Sequence, residues 1–169
     1  MTRNIVLIGL MGSGKSMVAR ALETRLGVPR FSTDEMIEAR EGRPVREIFQ
    51  DPGEGHFRGL EHAIVLELAG KKGVIIDCGG GIVLNPVHLP LLKENGIVFH
   101  LKASPEVIYS RIQGDPTRPL VNVPDPRERI TQLFKERLPL YDQADVVLDA
   151  SDPSIEGPVA QILKRMSHE

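Results

Sequence analysis

Eight residues constrain this chain more than any others. Gly9-Leu10-Met11-Gly12-Ser13-Gly14-Lys15-Ser16 fits the pattern G-x-x-x-x-G-K-[ST]. Ahead of it runs Asn4-Ile5-Val6-Leu7-Ile8, short, apolar and rich in β-branched residues, as a buried parallel strand is. Behind it, residues 17–26 place Val18, Leu22, Arg25 and Leu26 at helical spacing, with Gly27 as a C-terminal stop. Glycines in such a loop let successive backbone N–H groups turn inward onto phosphate oxygens, and the helix N-terminus adds partial positive charge there. Lys15 then reaches the β- and γ-phosphates, and the Ser16 hydroxyl ligates Mg²⁺. With strand, lysine, hydroxyl and helix all in place, a turn that binds nothing is the weaker reading. The chain is expected to bind a nucleoside triphosphate.

At 169 residues the chain is read as a single domain, 1–169, large enough to bury a core without disulfides or metal staples. Its formal charge of −2 provides no global basic field for nucleic acid or membrane. With no tryptophan and two tyrosines it also lacks the aromatic platforms of a single-strand binder. The lone cysteine, Cys78, excludes an intramolecular disulfide and suits a reducing compartment. A first strand near residue 4 leaves no room for a signal peptide, and no apolar run reaches membrane-spanning length. A cytoplasmic monomer is expected.

Strand and helix signals alternate along the chain. Residues 27–33 read as a turn and short strand, followed by a helix over 34–40 that opens with acids. Short and long helices follow over 45–50 and 54–69, the latter with Phe57, Leu60, Ile64 and Leu68 on one stripe. Residues 73–78 form a buried strand running into Gly79-Gly80-Gly81, and a helix begins at Asn85-Pro86 and ends at Asn95. A third clear strand covers 97–101, Ser104-Pro105 caps the next helix, and helices over 127–138 and 153–166 flank a last strand at 145–149. The segment at about 112–125, rich in proline, is long for a connection and reads as a lid. This alternation predicts an α/β protein: a parallel sheet between two helical layers, with ligands at the C-terminal ends of its strands.

Chemistry is therefore sought at strand ends. Asp34 is placed to accept a hydrogen bond from an acceptor hydroxyl and help remove its proton, or else only to complement a helix dipole. Arg58 and Arg137, each alone, read as solvated helix residues; converging on a cleft, they make a bidentate clamp for a carboxylate. The triple glycine admits a polar ligand close to the backbone, the reading preferred over a plain strand exit because three glycines cost entropy. Arg118, on the lid segment, is suited to stabilising charge on the transferred phosphoryl. The five histidines lack metal-ligand spacing and read as structural or exposed, and Cys78 reads as a small core residue.

These motifs, in order, resemble the shikimate kinase family over residues 4–162: GLMGSGKS at 9–16, TDEMIE at 33–38, FRGLE at 57–61, CGGGIV at 78–83, RPL at 118–120 and RLPLY at 137–141. The resemblance implies a P-loop kinase, a three-layer α/β/α sandwich with five parallel strands in order 2-3-1-4-5. It also implies transfer of the γ-phosphoryl of ATP to the 3-hydroxyl of shikimate. It assigns ATP to Gly12, Ser13, Gly14, Lys15, Ser16 and Met17, with Arg118 as the lid arginine and Arg111 and Pro153 around the adenine. Shikimate falls to Asp34 and Arg58, in a binding region spanning about 33–61, and to Gly80, Gly81 and Arg137 beyond it, while Glu61 steadies the substrate arginine.

One position departs from the family's Asp-x-Asp pattern. Ser32 stands where the first aspartate supports Mg²⁺ through water, so metal affinity is expected to fall. Asp77, at the end of an apolar strand, either restores that anion beside Ser16 or is a strand-end acid bonded to nearby backbone. Two other readings stay open here: a gluconate or nucleoside monophosphate kinase on the same fold, and a nucleotide-binding protein that has lost turnover.

Overall fold

The computed structural model describes residues 2–115 and 122–168. Five parallel strands form one sheet: β1 (Asn4–Ile8), β2 (Arg30–Ser32), β3 (Ile75–Asp77), β4 (Gly96–Lys102) and β5 (Val146–Asp149). Their order is β2-β3-β1-β4-β5, so β1 is central and the loop that follows it emerges in the middle of the sheet's C-terminal edge. Eight helices complete the described chain: α1 (Lys15–Leu26), α2 (Thr33–Glu41), α3 (Val45–Ile48), α4 (Glu54–Ala69), α5 (His88–Asn95), α6 (Pro105–Ile112), α7 (Pro126–Tyr141) and α8 (Glu156–Met166).

The unbroken apolar run of β1 follows from burial on both faces. Alternate side chains leave the strand in opposite directions, so Ile5 and Leu7 join Ile75, Ile97 and Phe99 in a core closed by α1 and α8. Val6 and Ile8 join Ile76 and Val98 in a second core, covered by α4, α5 and α7. Each fully buried aliphatic side chain contributes roughly 1.5–3 kcal/mol. Among the described residues no helix is long and apolar enough to cross a membrane.

Several boundaries differ from the sequence reading for local reasons. Strand β3 begins only at Ile75, because the Val74 N–H is taken by the Asn4 side chain at 3.1 Å. The helix expected from Asn85 starts at His88, after a tight turn at Ile82–Leu84 and an Asn85 side chain that accepts from Val87 N. Helix α3 ends at Ile48, two residues early. Helix α8 begins at Glu156, leaving Pro153 in an exposed loop. In the other direction, α7 runs through Pro139 to Tyr141, and its last turn is closed by Asp142 N donating to Leu138 O at 2.9 Å. Of the lid expected at 112–125, residues 116–121 lie outside the described residues, Arg118 among them.

The two-sided core sets a stability test. Phe99 has no exposed surface, and Phe99→Ala is expected to cost about 3–5 kcal/mol in urea unfolding. Val147→Ala, at a side chain that is 48% exposed, is expected to stay within about 0.5 kcal/mol.

Candidate active site

All the described candidate residues line one cleft of about 1630 Å³ along the C-terminal edge of the sheet. At its centre is the loop between β1 and α1. Gly9, Gly12 and Gly14 all have positive φ, and Gly14, at φ 94°, forms the N-terminal boundary of α1. A side chain there would be strained, which is why glycine holds the position. Lys15 is buried under the loop and donates from Nζ to Gly9 O at 2.7 Å and Leu10 O at 3.1 Å. Ser13 is buried too, with an Oγ that makes no hydrogen bond within the protein. Ser16 and Met17 follow on the exposed first turn of α1.

To one side, Arg111 fastens α6 to the loop after β5. Its Nη2 donates to Ala150 O at 2.7 Å and Asp152 O at 3.0 Å, one residue from Pro153. Its Nη1 reaches Gly12 O and Ser13 O at 3.4 Å. The guanidinium thus ties together the phosphate loop and the segment at 150–153, a flat platform beside both.

To the other side lies the triple glycine, pinned from two elements. Gly79 N donates to Thr33 Oγ1 at 2.8 Å, and Tyr141 donates its hydroxyl to Gly80 O at 2.6 Å. At Gly79 and Gly81 the missing Cβ leaves room for functional side chains. A Cβ on Gly79 would lie 2.5 Å from Asp34 Oδ1, and one on Gly81 would lie 2.5 Å from Arg58 Nη2. Arg137 Nη1 approaches the place of a Gly80 Cβ to 3.7 Å. One bare stretch of backbone therefore gathers a carboxylate and two guanidinium groups. Arg58 is held by Glu61 Oε1 at 2.8 Å and Glu54 Oε1 at 3.3 Å, with its guanidinium carbon 5.2 Å from the Phe57 ring centre. The sequence reading named Arg58 and Arg137 but missed Thr33 and Tyr141, whose signal was their place inside two of the quoted motifs.

Charge in the cleft is balanced across short distances. Burial pushes the Asp34 carboxyl up from its ordinary value, and Lys15 pulls it back while Asp77 opposes. Burial likewise raises Glu61, against the Arg58 hydrogen bond. Asp77, nearly fully buried, is raised by burial and lowered by the Ser16 hydroxyl, Lys15 and Arg30. Its Oδ2 lies 3.6 Å from Arg30 Nη1 and accepts no hydrogen bond. Ser32 caps α2, its Oγ accepting from Glu35 N at 3.3 Å. Behind Tyr141, buried His100 stacks at 4.9 Å between ring centres, its Nδ1 3.8 Å from Asp142 Oδ1. Burial lowers its pKa to about 4, so it is neutral near pH 7.

A parallel sheet of this order, with a glycine-lysine loop after its central strand and a cleft lined by two arginines and an aspartate beside it, is the arrangement of P-loop kinases that phosphorylate small molecules. The shikimate kinase family model matches residues 11–167. Shikimate kinase of Caldanaerobacter subterraneus subsp. tengcongensis is 42% identical over 162 residues, 96% of this chain and 95% of its own length. That of Pelotomaculum thermopropionicum is 44% identical over 161 residues, 95% of this chain and 94% of its own. The solved structure of the Acinetobacter baumannii enzyme in complex with shikimate superposes with a TM-score of 0.92 at 31% identity, covering 99% of this chain and 94% of its own. The chain belongs to the shikimate kinase family.

The glycine contacts yield a prediction. Gly81→Ala is expected to displace the Arg58 guanidinium while leaving ATP binding within about twofold, since the phosphate loop is untouched. Tyr141→Phe, which drops one hydrogen bond, is expected to lower stability by about 0.5–1.5 kcal/mol in denaturant titration.

Proposed function

We propose that this chain transfers the γ-phosphoryl group of ATP to the 3-hydroxyl of shikimate, giving shikimate 3-phosphate and ADP in aromatic amino-acid biosynthesis. The observation that carries this reading is the convergence of Arg58, Arg137 and Asp34 on Gly79–Gly81, next to the phosphate loop. Shikimate has a carboxylate at one end of its ring and hydroxyls at the other. Two planar guanidinium groups suit the first, and an anionic acceptor suits the second.

In this reading Arg58 and Arg137 hold the carboxylate, while the backbone of Gly80 and Gly81 lets the ring lie close. Asp34 accepts a hydrogen bond from the 3-hydroxyl and directs its oxygen at the γ-phosphorus. The transition state is loose, so Asp34 contributes more by orientation than by full proton removal. Gly12, Ser13, Gly14 and Lys15 hold the phosphates, with Lys15 as a fixed cation at the transferred group. Arg111 and Pro153 flank the adenine, and Met17 completes the nucleotide wall. Arg118, outside the described residues, is proposed from the family resemblance alone as the cation that closes over the γ-phosphoryl.

The residues present fit Mg²⁺. Ser16 and buried Asp77 offer oxygen, and the absence of a three-acid cluster among the described residues suits a cation held mainly by phosphates and water. Bound there through Ser16, with Asp77 and Ser32 acting at most through water, Mg²⁺ would neutralise charge on the β- and γ-phosphates. We further propose that the enzyme acts as a cytoplasmic monomer without nucleic-acid or membrane partners, in keeping with its charge of −2 and its buried free Cys78.

A coupled ADP-release assay tests the reading. Turnover is expected with shikimate and not with gluconate, AMP or CMP; ATP binding without shikimate-dependent ADP release would overturn it. Lys15→Ala is expected to abolish turnover. Arg58→Ala or Arg137→Ala is expected to raise the KM for shikimate about 10- to 100-fold, with little change for ATP. Equal effects on both substrates would show that the clamp is misassigned.

A further inference from the structure

Asp77 and Ser32 are register partners on adjacent strands, and Arg30 lies two residues before Ser32. By the two-residue repeat of a strand, all three side chains project to the sheet face that carries Ile75 and meets α1. Ser32 is committed there as the cap of α2. Arg30 fills the space between three elements. Its Nη2 donates to Glu35 on α2 at 2.9 Å, its Nε lies 3.5 Å from Glu23 on α1, and its Nη1 lies 3.6 Å from Asp77 at the tip of β3. Nε and Nη1 are buried and make no hydrogen bond, although the side chain is only 12% exposed. A buried guanidinium with two unsatisfied nitrogens is costly unless its charge is used. Glu35 and Glu23 take part of that charge, and Nη1 is left facing Asp77, the carboxylate that accepts a hydrogen bond from Ser16.

We propose that Arg30 is a positioning residue for the metal–nucleotide site: anchored by Glu23 and Glu35, it holds the Asp77 carboxylate in place beside the Ser16 hydroxyl. This rests on the assignment of Ser16 to Mg²⁺ made above and extends it through two side chains, Asp77 and Arg30, on the sheet face that meets α1. One carboxylate oxygen, Oδ2, faces Arg30 at 3.6 Å, which leaves the other for Ser16 or a metal-bound water. Groups one step removed from a metal's ligands set ligand orientation, and losing one typically weakens metal binding about tenfold or more. Arg30 acts one step further out, so a smaller effect is expected.

The test measures Mn²⁺ affinity in the presence of ADP, by the loss of the free-Mn²⁺ paramagnetic resonance signal, in the full chain. Asp77→Asn is expected to weaken Mn²⁺ about tenfold and Arg30→Met about three- to fivefold. Adding Arg30→Met to Asp77→Asn should cost nothing further, since both act on one carboxylate. Arg30→Lys should recover most of the loss, and the affinity for ADP in EDTA should stay within about twofold throughout. If Arg30→Met does not fold, Arg30→Gln carries the same comparison. Unchanged Mn²⁺ affinity in the Arg30 variants, additive losses, no rescue by lysine, or an equal loss in EDTA would each overturn the role of Arg30. Full Mn²⁺ affinity in Asp77→Asn would instead overturn the place of Asp77 itself, a separate failure.

Discussion

A triphosphate's charge has to be met by donors that already point at it, because reorganising them during reaction would cost much of what they stabilise. In this chain that requirement falls on a loop hung from the central strand. Strand β1 is buried on both faces, so its end is as fixed as any point in the molecule. Lys15 is drawn under the loop by two carbonyl groups and stays buried without losing its partners. The rest of the cleft is built outward from this anchor: β3 and β2 carry Asp77, the glycines and Asp34 on one side, and β4 leads to Arg111 on the other.

The second half of the cleft solves a charge problem. Asp34, Glu61 and Asp77 crowd into one cleft, and burial raises all three. Each is offset by nearby cations, drawn from α1, α4 and β2. Lys15 serves Asp34 and Asp77, Arg58 serves Glu61 and Asp34, and Arg30 serves Asp77. Because Arg58 is shared with Glu61 and Glu54, it is already oriented before an acid arrives. Orientation fixed in advance saves the entropy of ordering a long side chain on binding.

The loop, the alternation of strands and helices and the helix stripes were legible because each rests on local spacing. The order of the strands came from the ordered motifs, and the sheet bears it out. What was not legible depended on partners distant in sequence. Asn4 shortens β3 through a side-chain bond to Val74, 70 residues away. The helix read over 127–138 continues through Pro139 to Tyr141, whose hydroxyl is bonded to Gly80, 61 residues back. Likewise Arg58 and Arg137 look like solvated helix residues until the fold brings them onto neighbouring glycines, Gly81 and Gly80. Ser32 was legible as a departure, and its capping bond to Glu35 gives that serine a local occupation.

His100 gives the pocket a property of its own. Its imidazole lies flat against Tyr141, and Tyr141 is bonded to the very glycine beside Arg137. Being uncharged down to about pH 4, it adds no titrating cation beneath the acid-binding end. Arginine, by contrast, keeps its proton under all physiological conditions. The wall behind Gly80 thus keeps a neutral ring stack across the physiological range, and titration in this part of the cleft falls to its carboxyl groups, Asp34 and Glu61 among them.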